Sequence, residues 1–284
     1  MRACNASWQR GFLPYAAGGL LGLPLEGLAP YARAAELTHS ASLAHDDVID
    51  TAMKRRNRPT LNAVASNTRA VLAGDLLLAR VMVELSARGQ LEIIQDLSRA
   101  VEDLVSGEWL QLEAKNVVDI ERRQLEETAR LKTASLIGWC VVTPARLAAA
   151  PPEVLRAAAS FGEGLGLAFQ MVDDVLDFEP AGEKPFANDV RNGLVNFVVL
   201  ELLEEHPRLT APLRKILGQP EIERFPWEPP ELDRARAQVR RRAKSKLIAA
   251  REQLRVAADW RGGGPAEYRD AFDFIIARLG ERSA

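Results

Sequence analysis

Two five-residue stretches decide the fold prediction: residues 46–50 read DDVID, and residues 173–177 read DDVLD. Aspartate is scarce in this chain, with 15 among 284 residues, and six of the 15 lie in these two copies of one Asp-Asp-x-x-Asp pattern. The residues before each copy are small or apolar, which distinguishes both stretches from an ordinary solvated acidic surface. A scarce residue type that repeats in one pattern indicates a shared chemical task.

The sequence around both stretches has the periodicity of amphipathic helices. Apolar and small residues recur at intervals of three and four in six segments, which are residues 28–49, 70–85, 90–114, 125–142, 152–178 and 234–257. No alternating run of five or more residues predicts a strand. We therefore expect an all-α protein, formed as one domain over residues 1–284, with an inserted loop around residues 218–230.

Composition narrows the class of protein. Hydrophobic residues make up 47% of the chain and charged residues 27%, which is typical of globular proteins. The net charge of −2 gives no basic excess, and so we expect no nucleic-acid partner. Two cysteines are too few for a disulfide framework and fit a cytoplasmic location. No uncharged run is long enough to span a bilayer, and the basic residues 240–246 predict peripheral membrane contact at most.

The aspartate pattern predicts a site for metal ions and a polyphosphate. On a helix, residues i and i+4 share a face, and so each stretch places two or three carboxylates on one side. Such crowding of like charge is unfavourable unless a cation binds there. Oxygen ligands without His or Cys suit Mg²⁺ or Mn²⁺. Because Mg²⁺ is seldom held by protein alone, two opposing carboxylate faces predict ions that hold a polyphosphate between them.

The chain resembles the trans-isoprenyl (polyprenyl) diphosphate synthases. Residues 36–50, the RRNRPT sequence at residues 55–60 and Gly74-Asp75 are similar to the first aspartate-rich region of that family. Residues 169–177 are similar to its second aspartate-rich region, and Lys132-Thr133 resembles its Lys-Thr pair. The resemblance implies the isoprenoid-synthase fold, in which helices surround a central substrate cavity, and a homodimer.

The resemblance also implies a metal site. About three Mg²⁺ ions would bind an allylic diphosphate through six carboxylates, which are Asp46, Asp47, Asp50, Asp173, Asp174 and Asp177. Asp46, Asp50 and Asp173 would be the closest ligands, and the other three would be close supports.

Further residues acquire implied roles in substrate binding and catalysis. The allylic diphosphate would contact Arg55, Lys132 and Lys184, and isopentenyl diphosphate would contact His39 and Arg56. Thr133 and Gln170 would face the forming cation. The catalytic set would be Lys132, Thr133, Gln170, Asp46 and Asp173. The implied reaction ionises the allylic diphosphate and joins it head-to-tail to isopentenyl diphosphate, which gives a polyprenyl diphosphate.

Three residues that precede the first stretch bear on product length. Ala41 and Ser42 lie about one turn before Asp46 on the predicted helix, and Thr38 lies a further turn away. A prenyl tail below the metal ions would pass these positions, and small side chains leave room for it. We therefore expect a product longer than C15.

The chain also departs from the family pattern. The early Lys- and Arg-rich segment that grips isopentenyl diphosphate has only Arg10 and Pro14 as counterparts, and the usual N-terminal helix is not recognisable. Residues 193–196 read GLVN, where the family has Gly-Lys-x-Thr. Two alternatives therefore remain open. One is a prenyltransferase or cyclase that uses another acceptor, and the other is a non-catalytic subunit of a heteromeric prenyl synthase.

Overall fold

The computed structural model describes residues 9–55, 58–179, 185–260, 262 and 264–281. The helices in these ranges are α1 (Gln9–Leu20), α2 (Ala29–Ile49), α3 (Leu61–Val64), α4 (Asn67–Ser86), α5 (Leu91–Glu113), α6 (Arg122–Ala129), α7 (Ser135–Leu147), α8 (Pro152–Leu176), α9 (Asn188–Arg191), α10 (Phe197–Glu205), α11 (Thr210–Ile216), α12 (Pro229–Asp259) and α13 (Ala266–Glu281). Short 3-10 turns cover Leu25–Leu28 and Pro207–Leu209, and a π-helical turn, Arg130–Ala134, joins α6 to α7. Strands β1 (Lys54–Arg55) and β2 (Arg58–Pro59) pair antiparallel.

The all-α prediction is confirmed. The six predicted segments correspond to α2, α4, α5, the run from α6 through α7, α8 and α12. Local signals account for several helix starts. The Ser66 hydroxyl accepts a hydrogen bond from the backbone N–H of Arg69 at the start of α4, and Pro152 occupies the first position of α8. At the start of α10, Asn196 Oδ1 accepts from two backbone N–H groups.

Helix α8 packs against both α7 and α12. Two of its glycines let backbones approach closely. A Cβ on Gly162 would lie 2.4 Å from Cα of Gly138, and a Cβ on Gly166 would lie 2.4 Å from Cα of Ala134. Any side chain at either position would therefore push α8 away from α7 and from the π-helical turn. The packing fixes the second aspartate stretch against residues 130–134.

The N-terminal region differs from the expectation. Residues 9–20 form α1, although no helix was recognisable there and Pro14 lies inside it. Proline removes one backbone N–H, and this cost is offset by burial of the apolar face of α1, which includes Leu13, Ala16 and Leu20. The helix packs against α2 and α7. Residues 54–59 include the paired strands β1 and β2, which have two residues each and are too short to give an alternating pattern.

The loop expected around residues 218–230 lies between α11 and α12. Its aromatic residues pack onto the end of α8. The rings of Phe225 and Trp227 stack with centroids 4.9 Å apart, and Trp227 meets Phe178 edge-on at 6.0 Å. The loop is therefore held close to the second aspartate stretch.

Two findings concern membranes. Within the part of the chain that the structure describes, no helix has the length and apolar character needed to cross a bilayer. The basic stretch 240–246 on α12 makes ion pairs inside the protein, with Arg240 bound to Glu179 at 2.9 Å and Arg242 bound to Glu201 at 2.5 Å. These pairs favour a structural role for the stretch over contact with lipid.

Candidate active site

The first aspartate stretch forms the C-terminal end of α2. Asp46 is half-buried and Asp50 is exposed, whereas Asp47 is only 7% exposed. Asp47 Oδ1 accepts a hydrogen bond of 2.8 Å from Nε of Arg55, in an ion pair with the hairpin strand β1. Asn62 Nδ2 donates to the backbone carbonyl of Asp47 at 3.1 Å. Asp47 thus ties the hairpin to α2 and leaves the carboxylates of Asp46 and Asp50 open.

The second stretch forms the C-terminal end of α8 and has the same arrangement. Asp173 is exposed, Asp177 is half-buried and Asp174 is only 5% exposed. Gln170 Nε2 donates to Asp174 Oδ1 at 2.8 Å, and the backbone N–H of Phe197 donates to Asp174 Oδ2 at 2.9 Å. Asp174 therefore joins α8 to α10.

The π-helical turn supplies Lys132 and Thr133. The hydroxyl of Thr133 donates to Gln170 Oε1 at 2.9 Å, which extends the hydrogen-bonded chain from Thr133 through Gln170 to Asp174. Lys132 Nζ forms an ion pair with the buried carboxylate of Glu108 on α5. A π-helical turn inside a helix is frequently found at functional sites, and this one lies between the two aspartate stretches.

Lys132 is the residue that connects the two stretches. It lines a cavity of about 110 Å³ together with Asp173 and Asp174. It is also close enough to Asp46 to lower the pKa of that carboxyl. The structure thus brings carboxylates from the ends of α2 and α8 into the neighbourhood of one ammonium group.

Two carboxyl groups of the site have raised pKa values. Burial raises the pKa of Asp46 to about 6, the neighbouring carboxylates of Glu108 and Asp50 add to the rise, and Lys132 opposes it. Burial also holds the pKa of Asp174 well above its usual range, and the carboxylate of Asp189 adds to that rise. In both groups burial therefore disfavours the ionised carboxylate while no cation is bound.

The other predicted residues lie as follows. His39 Nε2 is 2.7 Å from Nη1 of Arg10. Arg10, the one basic residue retained from the early segment, therefore contacts His39, which is predicted to bind isopentenyl diphosphate. Thr38 and Ala41 are buried on α2, and the Ser42 hydroxyl donates to the backbone carbonyl of His39. Arg56 and Lys184 lie outside the described residues.

Two residues of the site were missed by sequence reasoning. Glu108 pairs with Lys132. The backbone N–H of Asp189 donates to Asp177 Oδ2 at 3.0 Å, and Asp189 Oδ2 accepts a hydrogen bond from Asn196 at 2.9 Å. Asp189 carried a usable signal, since it is one of only 15 aspartates and lies 12 residues after the second stretch. Glu108 carried none, because glutamate is common on helix surfaces.

The donor set of the site fits a hard divalent cation. Asp46, Asp50 and Asp173 present carboxylate oxygens, which are the ligands that Mg²⁺ prefers, and the imidazole of the adjacent His45 contacts Asp75 and the backbone carbonyl of Val71. Among the described residues, no three acidic, His or Cys side chains already converge into a metal cluster. Mg²⁺ ions usually complete their coordination with water and with substrate oxygens.

Comparisons with known proteins agree with this geometry. Residues 9–225 match the family model described as polyprenyl synthetase. The all trans-polyprenyl-diphosphate synthase of Homo sapiens is 39% identical over 209 residues, which cover 72% of this chain and 48% of that protein. The mitochondrial solanesyl-diphosphate synthase 1 of Oryza sativa subsp. japonica is 40% identical over 180 residues, which cover 61% and 41% of the two chains.

A solved structure extends the likeness over the whole chain. The crystal structure of a polyprenyl synthase from Caulobacter crescentus, complexed with calcium and isoprenyl diphosphate, superposes with a TM-score of 0.80 at 26% identity. The superposition covers 99% of this chain and 86% of that one. The chain spans about half the length of the curated relatives that it matches. The isoprenoid-synthase fold is confirmed, and the chain belongs to the polyprenyl synthetase family.

Proposed function

We propose that the protein is a metal-dependent prenyltransferase. It ionises an allylic diphosphate and condenses it head-to-tail with isopentenyl diphosphate, and it releases a polyprenyl diphosphate longer than C15. The observation that carries this proposal is the position of Lys132, which lies near Asp46 and lines the same cavity as Asp173 and Asp174. A single ammonium group between two carboxylate-bearing helix ends is suited to hold a diphosphate.

The charged residues have different roles in binding the allylic diphosphate. Asp46, Asp50 and Asp173 would hold the metal, for which we propose about three Mg²⁺ ions, with Mn²⁺ as a substitute. When bound, the metal supplies positive charge to the departing diphosphate. Lys132 binds diphosphate oxygens directly, and we assign the same role to Arg55 and Lys184. Asp47, Asp174 and Asp177 orient the ligands through their own hydrogen bonds.

Thr133 and Gln170 face the carbon that becomes cationic. The Thr133 hydroxyl donates to Gln170 Oε1, and Gln170 Nε2 donates to Asp174, so that both ends of the Gln170 amide are fixed. Fixed dipoles stabilise a developing charge without the cost of reorganisation. This chain of hydrogen bonds therefore orients the polar atoms around the allylic cation.

Isopentenyl diphosphate would bind near His39 and Arg56. Arg10 lies within hydrogen-bond distance of His39 and would add a second cation there. This contact supports an acceptor that carries a diphosphate, even though the early basic segment is reduced.

The relatives and the α2 face support a long product. The rice relative is named a solanesyl-diphosphate synthase, and Thr38, Ala41 and Ser42 present small side chains before Asp46. We expect Ala41→Phe to shorten the products of condensation, because the ring would occupy the path of the tail. Product lengths are read by mass spectrometry. Ala249→Phe, on the exposed surface of α12, is the control, and equal product lengths in both variants would contradict the assignment.

The test of the reaction is an incubation with farnesyl diphosphate, labelled isopentenyl diphosphate and Mg²⁺. We expect label in C20 or longer diphosphates, loss of that label in Asp46→Ala, and normal activity in Asp270→Ala, which removes an exposed carboxylate of α13. Release of diphosphate without incorporation of label would favour another acceptor or cyclisation. Absence of any turnover would favour the non-catalytic subunit.

We also propose that the protein is a homodimer. Helices α4 and α5 expose apolar side chains along one face each, and these include Leu72, Leu76 and Val83 on α4 and Val105 and Trp109 on α5. Exposed apolar faces of this extent mark sites of association. Light scattering should show a dimer that Leu72→Glu dissociates and that Ile248→Glu, on exposed α12, leaves intact. A monomeric wild-type protein would contradict the proposal.

The cytoplasm is our proposed location for the reaction. It is supported by the low cysteine content of the chain. The rice relative is named as mitochondrial, and microscopy of the tagged chain in its own cells would decide between the compartments.

A further inference from the structure

Glu108 is a buried acid at the place where a diphosphate is proposed to bind. Its side chain is 9% exposed, and its carboxylate forms an ion pair with Nζ of Lys132, whose side chain is 24% exposed. A carboxylate repels the same anion that the lysine would attract. The sequence pattern and the proposed reaction give this acid no role.

The backbone keeps Glu108 against Lys132. A Cβ on the preceding residue, Gly107, would lie 2.5 Å from the backbone nitrogen of Lys132. Helix α5 and the π-helical turn therefore touch through their main chains, and neither can withdraw without losing this contact. The ion pair is a fixed feature of the site rather than a chance meeting of two mobile side chains.

We propose that Glu108 is the resting counter-ion of Lys132, which a diphosphate must displace or share. This inference rests on the proposed function. A half-buried ammonium group without a partner is costly, and so Glu108 stabilises Lys132 in the empty site. When a diphosphate arrives, it competes with Glu108 for Lys132, and when diphosphate leaves, the ion pair forms again. Glu108 is thus a positioning residue that weakens diphosphate binding and speeds its release.

Removal of the Glu108 charge should strengthen diphosphate binding, whereas most substitutions in a binding site weaken it. Glu108→Gln keeps the shape of the side chain and an acceptor oxygen for Lys132 but removes the negative charge. We expect the variant to bind inorganic diphosphate about tenfold more tightly, because the diphosphate no longer competes with a carboxylate for Lys132. Turnover should fall because release slows. A purely structural role would have the opposite effect on binding, since a disturbed π-helical turn would bind diphosphate more weakly.

The experiment is a double-mutant cycle read by calorimetric titration of the full chain with inorganic diphosphate in the presence of Mg²⁺. The four proteins are wild type, Glu108→Gln, Lys132→Gln and the double variant, and thermal melting confirms that each is folded. Glu102→Gln, which removes an exposed charge from the same helix, is the control for net charge. We expect the tightening in Glu108→Gln to disappear when Lys132 is already replaced.

The outcomes separate this inference from the proposed function. Unchanged or weaker diphosphate binding in Glu108→Gln would overturn the inference alone. Equal tightening with and without Lys132, or equal tightening in Glu102→Gln, would also overturn it, because the effect would not act through the ion pair. A wild-type protein that binds no diphosphate would overturn both the inference and the proposed function.

Discussion

Each aspartate stretch buries its second aspartate, but the two buried carboxylates have different hydrogen-bond partners. Asp47, in the first stretch, pairs with the guanidinium of Arg55, whose side chain is 37% exposed. Asp174, in the second stretch, accepts hydrogen bonds from the amide of Gln170 and from the backbone N–H of Phe197. The first buried carboxylate therefore has a cationic partner near the surface, whereas the second has neutral donors in the interior.

This difference determines how much charge each helix end leaves uncompensated. Neutral donors balance an ionised carboxylate less completely than a guanidinium does. Asp189 lies nearby and adds a further negative charge, which is one reason why the pKa of Asp174 is raised. The end of α8 therefore depends more on a bound cation than the end of α2 does, and it is more tightly built into the interior.

The largest expected effect comes from removing the two buried carboxylates. Asp174→Ala leaves a buried amide and a buried backbone N–H without their acceptor, and we expect it to lower the free energy of unfolding by about 2–4 kcal/mol. Asp47→Ala leaves Arg55, which can turn into water, and we expect a loss of about 1 kcal/mol or less. Urea denaturation of the metal-free proteins measures both values. Equal losses would show that Asp47 and Asp174 stabilise the protein equally, and would contradict the difference that we infer from their partners.

The second comparison concerns how closely α8 and α2 pack against the elements next to them. A Cβ on Gly166 of α8 would meet backbone atoms of Ala134, whereas a Cβ on Gly74 of α4 would meet the ring of His45 on α2 at 2.2 Å. Backbone cannot yield without moving the π-helical turn, but a histidine ring can rotate. We expect Gly166→Ala to destabilise the protein by about 1–3 kcal/mol.

Gly74→Ala should change stability by less than about 1 kcal/mol, because the helix propensity of alanine offsets part of the cost of moving His45. Gly138→Ala is the matched control for α7, since a Cβ there meets nothing within 4 Å. Thermal melting measures the three variants side by side. A larger loss in Gly74→Ala than in Gly166→Ala would mean that α2, not α8, is the more rigidly held helix.

The sequence predicts the helices more fully than it predicts their contacts. Apolar periodicity locates α2 and α8 because burial imposes a repeat of 3.6 residues on any helix that packs against a core. The same repeat cannot distinguish Gly162 and Gly166, which permit backbone contact, from Gly138, whose Cβ position is open. That distinction depends on which helix lies opposite, and this partner is not written in the local sequence.

The candidate site shows the same limit. The repeated aspartates and the Lys-Thr pair identify the residues that α2, α8 and the π-helical turn bring together. The pattern does not reveal that Glu108 pairs with Lys132 or that Asp177 accepts a hydrogen bond from the backbone N–H of Asp189. Both partners come from distant segments, and a common residue type on a helix surface gives no signal until the fold places it beside another charge.

The smallest expected effect is the pH dependence of stability that Asp46, in the first stretch, causes. The pKa of Asp46 is raised from 3.8 to about 6, so the unfolded chain ionises at a lower pH than the folded protein does. Below pH 3.8, Asp46 therefore does not lower the free energy of unfolding of the metal-free protein. As the pH rises from 3.8, the free energy of unfolding falls, and the loss is complete above about pH 6. Asp46→Asn removes that cost, and we expect it to raise the free energy of unfolding at pH 8 by about 1–2 kcal/mol.

The measurement compares Asp46→Asn with wild type by urea denaturation in chelator at pH 8 and at pH 4, where the two proteins should become nearly equal. Asp270→Asn is the control, because it removes an exposed carboxylate from another helix, α13. Added Mg²⁺ should reverse the order at pH 8, since a cation that binds only the folded protein stabilises wild type more than a variant lacking a ligand. A stability gain in Asp46→Asn that persists at pH 4 would come from hydrogen bonds of the new amide rather than from the removal of charge. The need of the first stretch for a cation would then no longer follow from its electrostatics.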